Sequence, residues 1–485
     1  MTKKAGLSLR TRLSYGAGDI YGGGATTLIS MYYLYFLTDV VGISPALAGT
    51  AFLVSKIWDA VTDPFMGIIS DNTRTRFGRR RPYFLAGIFL IFISFVLMWA
   101  PVPIAREGMK FLYVIVAYLF FSTIYTMVWV PYNSIATELT FDFDERTRLS
   151  TYRMIFSNVA GILAGTLAKD VFVDALYPQA PATGFFVMAI AFGLLFSLPY
   201  IATFLYCQED PELMKAPRRP LGNLREFFRE QLIAPFELRP FRFISLMFLF
   251  GFMAQDAVMA MAVYFITYYL HIQSMMTLLV PVYLFMLAAI PLAQVVSARI
   301  GKRKTYMASC GLWILSFCLI PFMSAESPVL LIYLFGALFG AAAAGIQVMV
   351  FAMFPDVPDA DELFSGSRRE GLYSGMFAFL RKTGGAVIMF LIGSAIQWAG
   401  YRAPVDAVQQ AQTPEFLTAL LVMFIGIPVV FIVVAFLACF RYPLTRTCHG
   451  RLRHLLSQRK ANPDLSEEMR REETDLKLIL GGSAR

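Results

Sequence analysis

The chain has 485 residues, of which 57% are hydrophobic and only 15% charged, and its formal net charge is +9. A soluble chain carries about 25% charged residues, so this composition, with a mean hydropathy of +0.60, calls for lipid as solvent. It excludes a secreted disulfide scaffold, a disordered tail protein and a nucleic-acid binder.

Twelve apolar runs are predicted as membrane helices, at about residues 16 to 38, 46 to 70, 82 to 102, 110 to 137, 150 to 174, 183 to 207, 243 to 270, 275 to 298, 305 to 324, 327 to 353, 371 to 398 and 414 to 440. Lys and Arg cluster in alternate loops: at Lys3, Lys4, Arg10 and Arg12, from Arg74 to Arg81, from Arg146 to Arg153, from Arg218 to Arg242, from Arg299 to Lys304, at Arg368 and Arg369, and after Arg441. The intervening loops hold chiefly Arg106, Lys110, Lys169 and Arg402. That alternation is the positive-inside pattern, which accounts for the +9 without a nucleic-acid partner and predicts an even number of spans with both termini cytoplasmic. The N-terminus lacks a cleavable signal pattern, so the first run stays as a span.

The expected organisation is all-α: an N-terminal six-helix half (residues 1–207), a cytoplasmic linker broken by Pro217, Pro220 and Pro235 (208–242), a C-terminal six-helix half (243–441) and a charged cytoplasmic tail (442–485). Two six-helix halves are the major facilitator architecture. An internal echo supports the division: Asp71, Arg76, Gly78, Arg79, Arg80 and Arg81 lie between runs two and three, and Arg299, Gly301, Lys302, Arg303 and Lys304 between runs eight and nine. Asp71 with Arg76 and Arg79 reads either as part of a positive-inside loop or as a cytoplasmic gate, an ionic latch that breaks when that side opens. Cys207, Cys310, Cys318, Cys439 and Cys448 have no metal or disulfide spacing and read as packing residues. With only His271, His449 and His454, no His-based catalyst or intramembrane metal centre is expected, and no enzyme.

The informative residues are ionisable ones at membrane depth, each costing about 2.5–3.5 kcal/mol at a helix centre on insertion scales. Run two places Asp59 and Asp63 at i and i+4, on one face, with Lys56 one turn before Asp59. Two such carboxylates repel unless they share a cation. A sodium ion or a proton supplies it, and Pro64 is expected to disturb the helix so that backbone carbonyls join the site; the alternative is a structural network in which Lys56 neutralises Asp59. Asp19, near Tyr15, enters run one after two glycines, where a carboxylate beside aromatic faces grips a polyol, or else caps the helix. Asp256 in run seven mirrors it, as a substrate contact, a proton site or a structural acid. In run eleven Arg381 and Lys382 precede Thr383, and Lys382 either faces the aspartate pair or snorkels to water.

The Tyr15-Gly-x-Gly18-Asp19 start, Phe36-Leu-Thr-Asp39-Val-Val-Gly42, Trp58-Asp59-Ala-x-x-Asp63-Pro64-x-x-Gly67, Arg76-x-Gly78-Arg-x-Arg-Pro82, Val130-Pro131-Tyr132-Asn133, Asp142-x-Asp144-Glu145-Arg146-x-x-Leu149, Asp356-x-x-Asp359-x-x-Glu362, Arg369-Glu370-Gly-Leu-Tyr373 and Tyr442-Pro-Leu-Thr445 together resemble the glycoside-pentoside-hexuronide:cation symporters, the melibiose permease family, from about residue 13 to 458. The resemblance implies an inner-membrane symporter that moves a sugar or glycoside with sodium, lithium or a proton by alternating access, with no other cofactor; because one chain contains both halves of a complete pathway, it is expected to work as a monomer among membrane lipids. By position it implies that Asp59, Asp63 and Thr126 bind the cation, that Lys382 faces the pair, and that Asp19 and Arg153 belong to the sugar site. The sequence departs from melibiose permease at Trp129, where that family member has an aspartate, and at Asn133 and Gln347, where it has tryptophans. These departures bear on specificity and leave the cation pair untouched; Trp129 is a candidate stacking platform. A non-sugar amphiphile, such as the lysolipids carried by the related vertebrate symporters, is the alternative substrate, and a transporter-like sensor using the basic tail the alternative role.

Overall fold

The computed structural model describes residues 7–101, 103–140, 143–209, 234–272, 274–324, 327–366, 369–404, 410–461 and 466–481. Most of the expected linker lies outside the described residues. All twelve apolar runs are helical. They are α1 (Leu9–Leu28), α2 (Pro45–Asn72), α3 (Arg81–Met98), α4 (Glu107–Leu139), α5 (Phe143–Lys169), α6 (Pro181–Ser197) continued by α7 (Pro199–Tyr206), α8 (Arg239–Tyr264), α9 (Met275–Ile300), α10 (Lys302–Phe317), α11 (Val329–Met353) with the shorter α12 (Asp356–Ser365), α13 (Glu370–Trp398) and α14 (Pro414–Phe440). Among the described residues, ten of the runs are long and apolar enough to cross a membrane. The other two, α1 and α2, carry Asp19 and the Lys56, Asp59, Asp63 set, which dilute their hydropathy. Those are the helices on which the candidate chemistry is concentrated.

Proline and π-turns mark where the helices depart from regularity. Pro64 lies inside α2, which runs unbroken from Pro45 to Asn72. The ring removes only one N–H, which leaves the Ala60 carbonyl without its helical donor, between the two aspartates. Helix α1 continues through π-helical segments Ile29–Tyr33 and Phe36–Val41 and ends at Gly42 with φ 72°. Helix α8 continues the same way through Phe265–Leu270 and ends at His271 with φ 51°. The first helix of each predicted half therefore closes with the same left-handed cap, a structural echo that the loops alone did not reveal.

Contacts divide the chain into two compact units. The first comprises Met1–Leu221 together with Met259–Val280 and Met389–Leu420. Its tightest seam is α1 against α5, where an added Cβ on Gly23 would come 2.2 Å from the Ser157 carbonyl oxygen, so no side chain is tolerated without parting the helices. Large aromatics fill the centre: Trp99, Tyr21, Tyr33 and Tyr118 are almost wholly buried. At the far end of α1 this unit is laced by polar contacts. Asp39 accepts from the Tyr268 hydroxyl, the Thr38 and Tyr264 hydroxyls share a hydrogen bond of 2.6 Å, and the Ala46 N–H donates to Gln397 at 3.0 Å. Asp170 also accepts the Met275 and Met276 N–H groups, both at 2.8 Å, capping α9.

The second unit comprises Gly222–Val258, Pro281–Ile388 and Leu421–Arg485. The tail folds into α15 (Arg446–Ala461) and α16 (Glu467–Leu480). Arg451 ties them by reaching Glu472 at 3.1 Å and Asp475 at 2.7 Å, and His449 holds Asp359 of α12 at 3.0 Å. Leu476 and Leu480 are fully buried. Of the cysteines, Cys207, Cys310, Cys439 and Cys448 are buried as packing residues, whereas Cys318 at the end of α10 is exposed.

Candidate functional site

Helix α2 presents the expected carboxylates to α4. Asp59 is buried; its Oδ2 receives Lys56 Nζ at 2.7 Å, and its Oδ1 receives the Ser122 hydroxyl, itself 3.2 Å from Ser55 Oγ. One turn on, half-buried Asp63 accepts from the Thr126 hydroxyl at 2.7 Å. The i, i+4 spacing of the acids on α2 is thus matched by an i, i+4 pair of hydroxyls on α4. Ser122 is the part that sequence reading missed; its spacing from Thr126 was the available signal. Lys56 pairs with Asp59, as one of the two sequence readings had it. The oxygen-rich set, with the Ala60 carbonyl nearby, suits a hard monovalent cation or a proton. Among the described residues no group of three His, Cys, Asp or Glu side chains forms a transition-metal cage.

An adjoining strip of α4 carries the aromatic wall. Tyr125, Trp129 and Tyr132, at spacing four and three, stack in turn with ring centroids 5.4 Å and 5.7 Å apart. The Arg153 guanidinium from α5 lies over Trp129 at 4.9 Å and Tyr132 at 5.4 Å, and its Nε donates to Asp19 Oδ2 at 3.0 Å. Ser157 adjoins that carboxylate, but the buried Asp19 Oδ1 completes no hydrogen bond, an acceptor left waiting at a cost unless a ligand hydroxyl fills it. Close approach is possible because residue 22 is glycine: a Cβ there would sit 2.3 Å from the Trp129 ring and 2.5 Å from Asp19 Oδ1. Tyr15 is buried behind the wall, stacked on Tyr132 at 4.9 Å, so it supports the ring and does not line the front. The Asn133 amide donates to the Trp129 carbonyl at 2.9 Å and steadies the same turn.

The second unit holds a corresponding pair. Asp256 on α8 is buried and binds both terminal nitrogens of Arg381 on α13, one of them at 2.9 Å, and the guanidinium lies 4.9 Å from the Phe252 ring. An aspartate on the first helix of the half, an arginine on the fifth and an aromatic face repeat the Asp19, Arg153, Trp129 arrangement. The sequence pointed to Asp256 as the mirror of Asp19 but did not single out Arg381 as its partner. Lys382 follows on α13, and Gln347 is half-buried on α11.

The loop between α2 and α3 is bound by ion pairs. Asp71 pairs with Arg80, while Glu138 of α4 takes Arg79 at 2.6 Å and Arg80 at 3.1 Å. Exposed Arg76 lies over Phe77 at 4.7 Å. Glu209 then caps the turn, accepting the backbone N–H groups of Arg79, Arg80 and Arg81 at 2.8, 2.6 and 3.1 Å. Burial pulls the Arg79 guanidinium down, but hydrogen bonds and charge from Glu138, with Asp71 and Glu209, outweigh it and hold the pKa above the ordinary arginine value.

Residues 14–446 match the family model described as MFS/sugar transport protein. The chain is 30% identical to an uncharacterized symporter of Bacillus subtilis, YjmB, over 93% of this chain and 96% of the relative. It is 28% identical to the glucuronide carrier protein homolog of Escherichia coli over 90% of this chain and 93% of that one. With the isoprimeverose transporter of Lactiplantibacillus pentosus it shares 27% identity over 86% of this chain and 85% of the relative. Among solved structures, the D-xylose-proton symporter superposes with a TM-score of 0.64 at 14% identity, covering 89% of this chain and 96% of that one, which shows the major facilitator fold.

Proposed function

The chain belongs to the MFS/sugar transport protein family, and on that premise we propose that it imports a sugar or glycoside, with Asp59, Asp63, Thr126 and Ser122 holding the coupling cation and Asp19, Arg153 and Trp129 forming the sugar site. It is an integral membrane transporter, not an enzyme, and it moves a small molecule together with a cation. The observation that carries the site assignment is the shared helix: α4 gives Ser122 and Thr126 to one set and Trp129 to the other, one turn away. A cation that draws Asp59 and Asp63 toward the α4 hydroxyls fixes the position of the wall against which Asp19 and Arg153 present their hydrogen bonds. Cation and sugar then favour the same conformer, and linkage makes the effect mutual. The unfilled Asp19 Oδ1 takes a sugar hydroxyl, and the accessible part of the half-buried Trp129 packs against the apolar side of the ring. Asp256 with Arg381, Lys382 and Gln347 form the contribution of the second half.

In this reading the twelve helices all cross a bacterial inner membrane as a monomer, six to each half, with both termini cytoplasmic. The gate on that side is the Asp71, Arg79, Arg80, Glu138 cluster, while the Asp39 and Tyr264, Tyr268 contacts close the opposite side. Uptake of a sugar and lysolipid panel into proteoliposomes, with sodium, lithium and proton gradients imposed separately, tests it. A gradient-driven accumulation of a glycoside is the expected result. Accumulation of lysolipid with no sugar moved would replace sugar by amphiphile as the cargo, and an absence of uptake alongside ligand-dependent signalling through the tail would favour a sensor.

A further inference from the structure

Five basic side chains cluster where α9, α10, α14 and the start of α15 meet. Arg299, Lys304, Arg441 and Arg446 are exposed and Arg303 is half-buried. Two contacts draw them to one place. Arg446 Nη1 reaches the Ala298 carbonyl at 3.4 Å, beside Arg299. Arg303 donates to the Phe440 carbonyl and lies 5.6 Å from the Phe440 ring centroid, beside Arg441. Among the described residues none of the five forms an ion pair. Other basic residues of this unit are matched: Lys302 with Asp356 at 2.7 Å, Arg369 with Asp361 at 2.6 Å, and Arg451 with two carboxylates of α16. The positive-inside pattern explains why charge gathers at this end. It does not explain why, among the described residues, none of these five has a counter-charge.

The surface next to them is apolar. Helix α14 exposes Val430, Val433, Leu437 and Phe440, at spacing three, four and three, as one stripe leading to the basic cluster, and α9 exposes Val295 and Ile300 beside it. An aqueous anion would satisfy the charges and leave the stripe bare. A phosphate that carries acyl chains satisfies both, because guanidinium groups clasp phosphate oxygens in pairs while the chains lie along the stripe. We propose that this junction is a binding site for the headgroup of an anionic phospholipid, which supplies the missing counter-charge and fastens α9, α10 and α14 to the first turn of the tail.

The test uses purified full-length protein, delipidated in non-ionic detergent and titrated with dioleoylphosphatidylglycerol, with dioleoylphosphatidylcholine and inorganic phosphate in parallel. Bound lipid is read by native mass spectrometry and stabilisation by thermal unfolding. Each basic group near a charged lipid is worth about fivefold in affinity, so the R299Q/R446Q double variant is expected to bind phosphatidylglycerol about 25-fold more weakly, and raised salt to weaken the wild type in the same direction. Equal binding of phosphatidylcholine, stabilisation by phosphate alone, or unchanged affinity in the variant would overturn the proposal. Should the variant fail to fold, the salt titration of the wild type decides, and a salt-independent affinity counts against the site.

Discussion

Replacing Asp63 by Asn tests the cation site while sparing its architecture, because the amide keeps an acceptor for the Thr126 hydroxyl, 2.7 Å away. In the wild type Lys56 lies 2.7 Å from Asp59, and Asp63 adds a second carboxylate one turn on, so removing its charge removes one attraction for the coupling ion. At about 4 Å and an effective dielectric of about 20, one such interaction amounts to about 4 kcal/mol, or roughly 1,000-fold in cation affinity. Asp63→Asn is therefore expected to abolish gradient-driven accumulation under sodium, lithium and proton gradients alike, while exchange of substrate across the membrane survives. The companion variant Lys56→Gln works in the opposite direction: it leaves two acids without their ammonium and tightens cation binding. Its effect is smaller than the Coulomb figure implies, since Lys56 is 27% exposed and screened by water. The assay is uptake in proteoliposomes with each ion gradient imposed alone, beside counterflow with no gradient. Wild-type accumulation by Asp63→Asn, or weaker cation activation in Lys56→Gln, would refute the assignment of this pair.

Asp19→Asn keeps the shape of the aromatic wall but loses the charge that holds Arg153, and a charge-assisted hydrogen bond of about 1.5–3 kcal/mol with it; substrate affinity measured by calorimetry is expected to fall at least tenfold with cation binding little changed. Tyr268→Phe removes the donor to Asp39 and weakens the contacts at the far end of α1, shifting the population toward the state open on that side; a cysteine introduced into the cavity should react faster with a membrane-impermeant thiol reagent added outside. Gly23→Ala forces a methyl group to within 2.2 Å of the Ser157 carbonyl, and overpacking of this kind costs about 1–3 kcal/mol, visible as a lower unfolding midpoint in detergent. Thr126→Val, which preserves volume and deletes one hydroxyl, is expected to weaken cation activation about fivefold without altering sugar affinity at saturating cation.

The sequence by itself determined the medium, the helix positions and the few residues worth asking about. Apolar runs of spanning length are written in composition, and a charge at membrane depth stands out because it is costly wherever the helix later packs. Asp59 and Asp63 were legible for that reason, since i, i+4 spacing on one helix is local geometry. What lies across from them was not. Ser122 and Thr126 are ordinary hydroxyls until α4 is packed against α2, Arg381 is one of two adjacent bases until α13 brings it to Asp256, and the latch partners of Arg79 and Arg80 depend on where Glu138 emerges. Pro64 was legible only in part: a proline within a helix frees a carbonyl wherever it stands, but that α2 continues past it from Pro45 to Asn72 is seen only in the structure. Tertiary structure decided which polar groups are satisfied and which are not: among the described residues Asp19 Oδ1 completes no hydrogen bond and the five bases at the α9, α10 and α14 junction have no counter-charge, because satisfaction of a buried or charged group depends on neighbours distant in the chain.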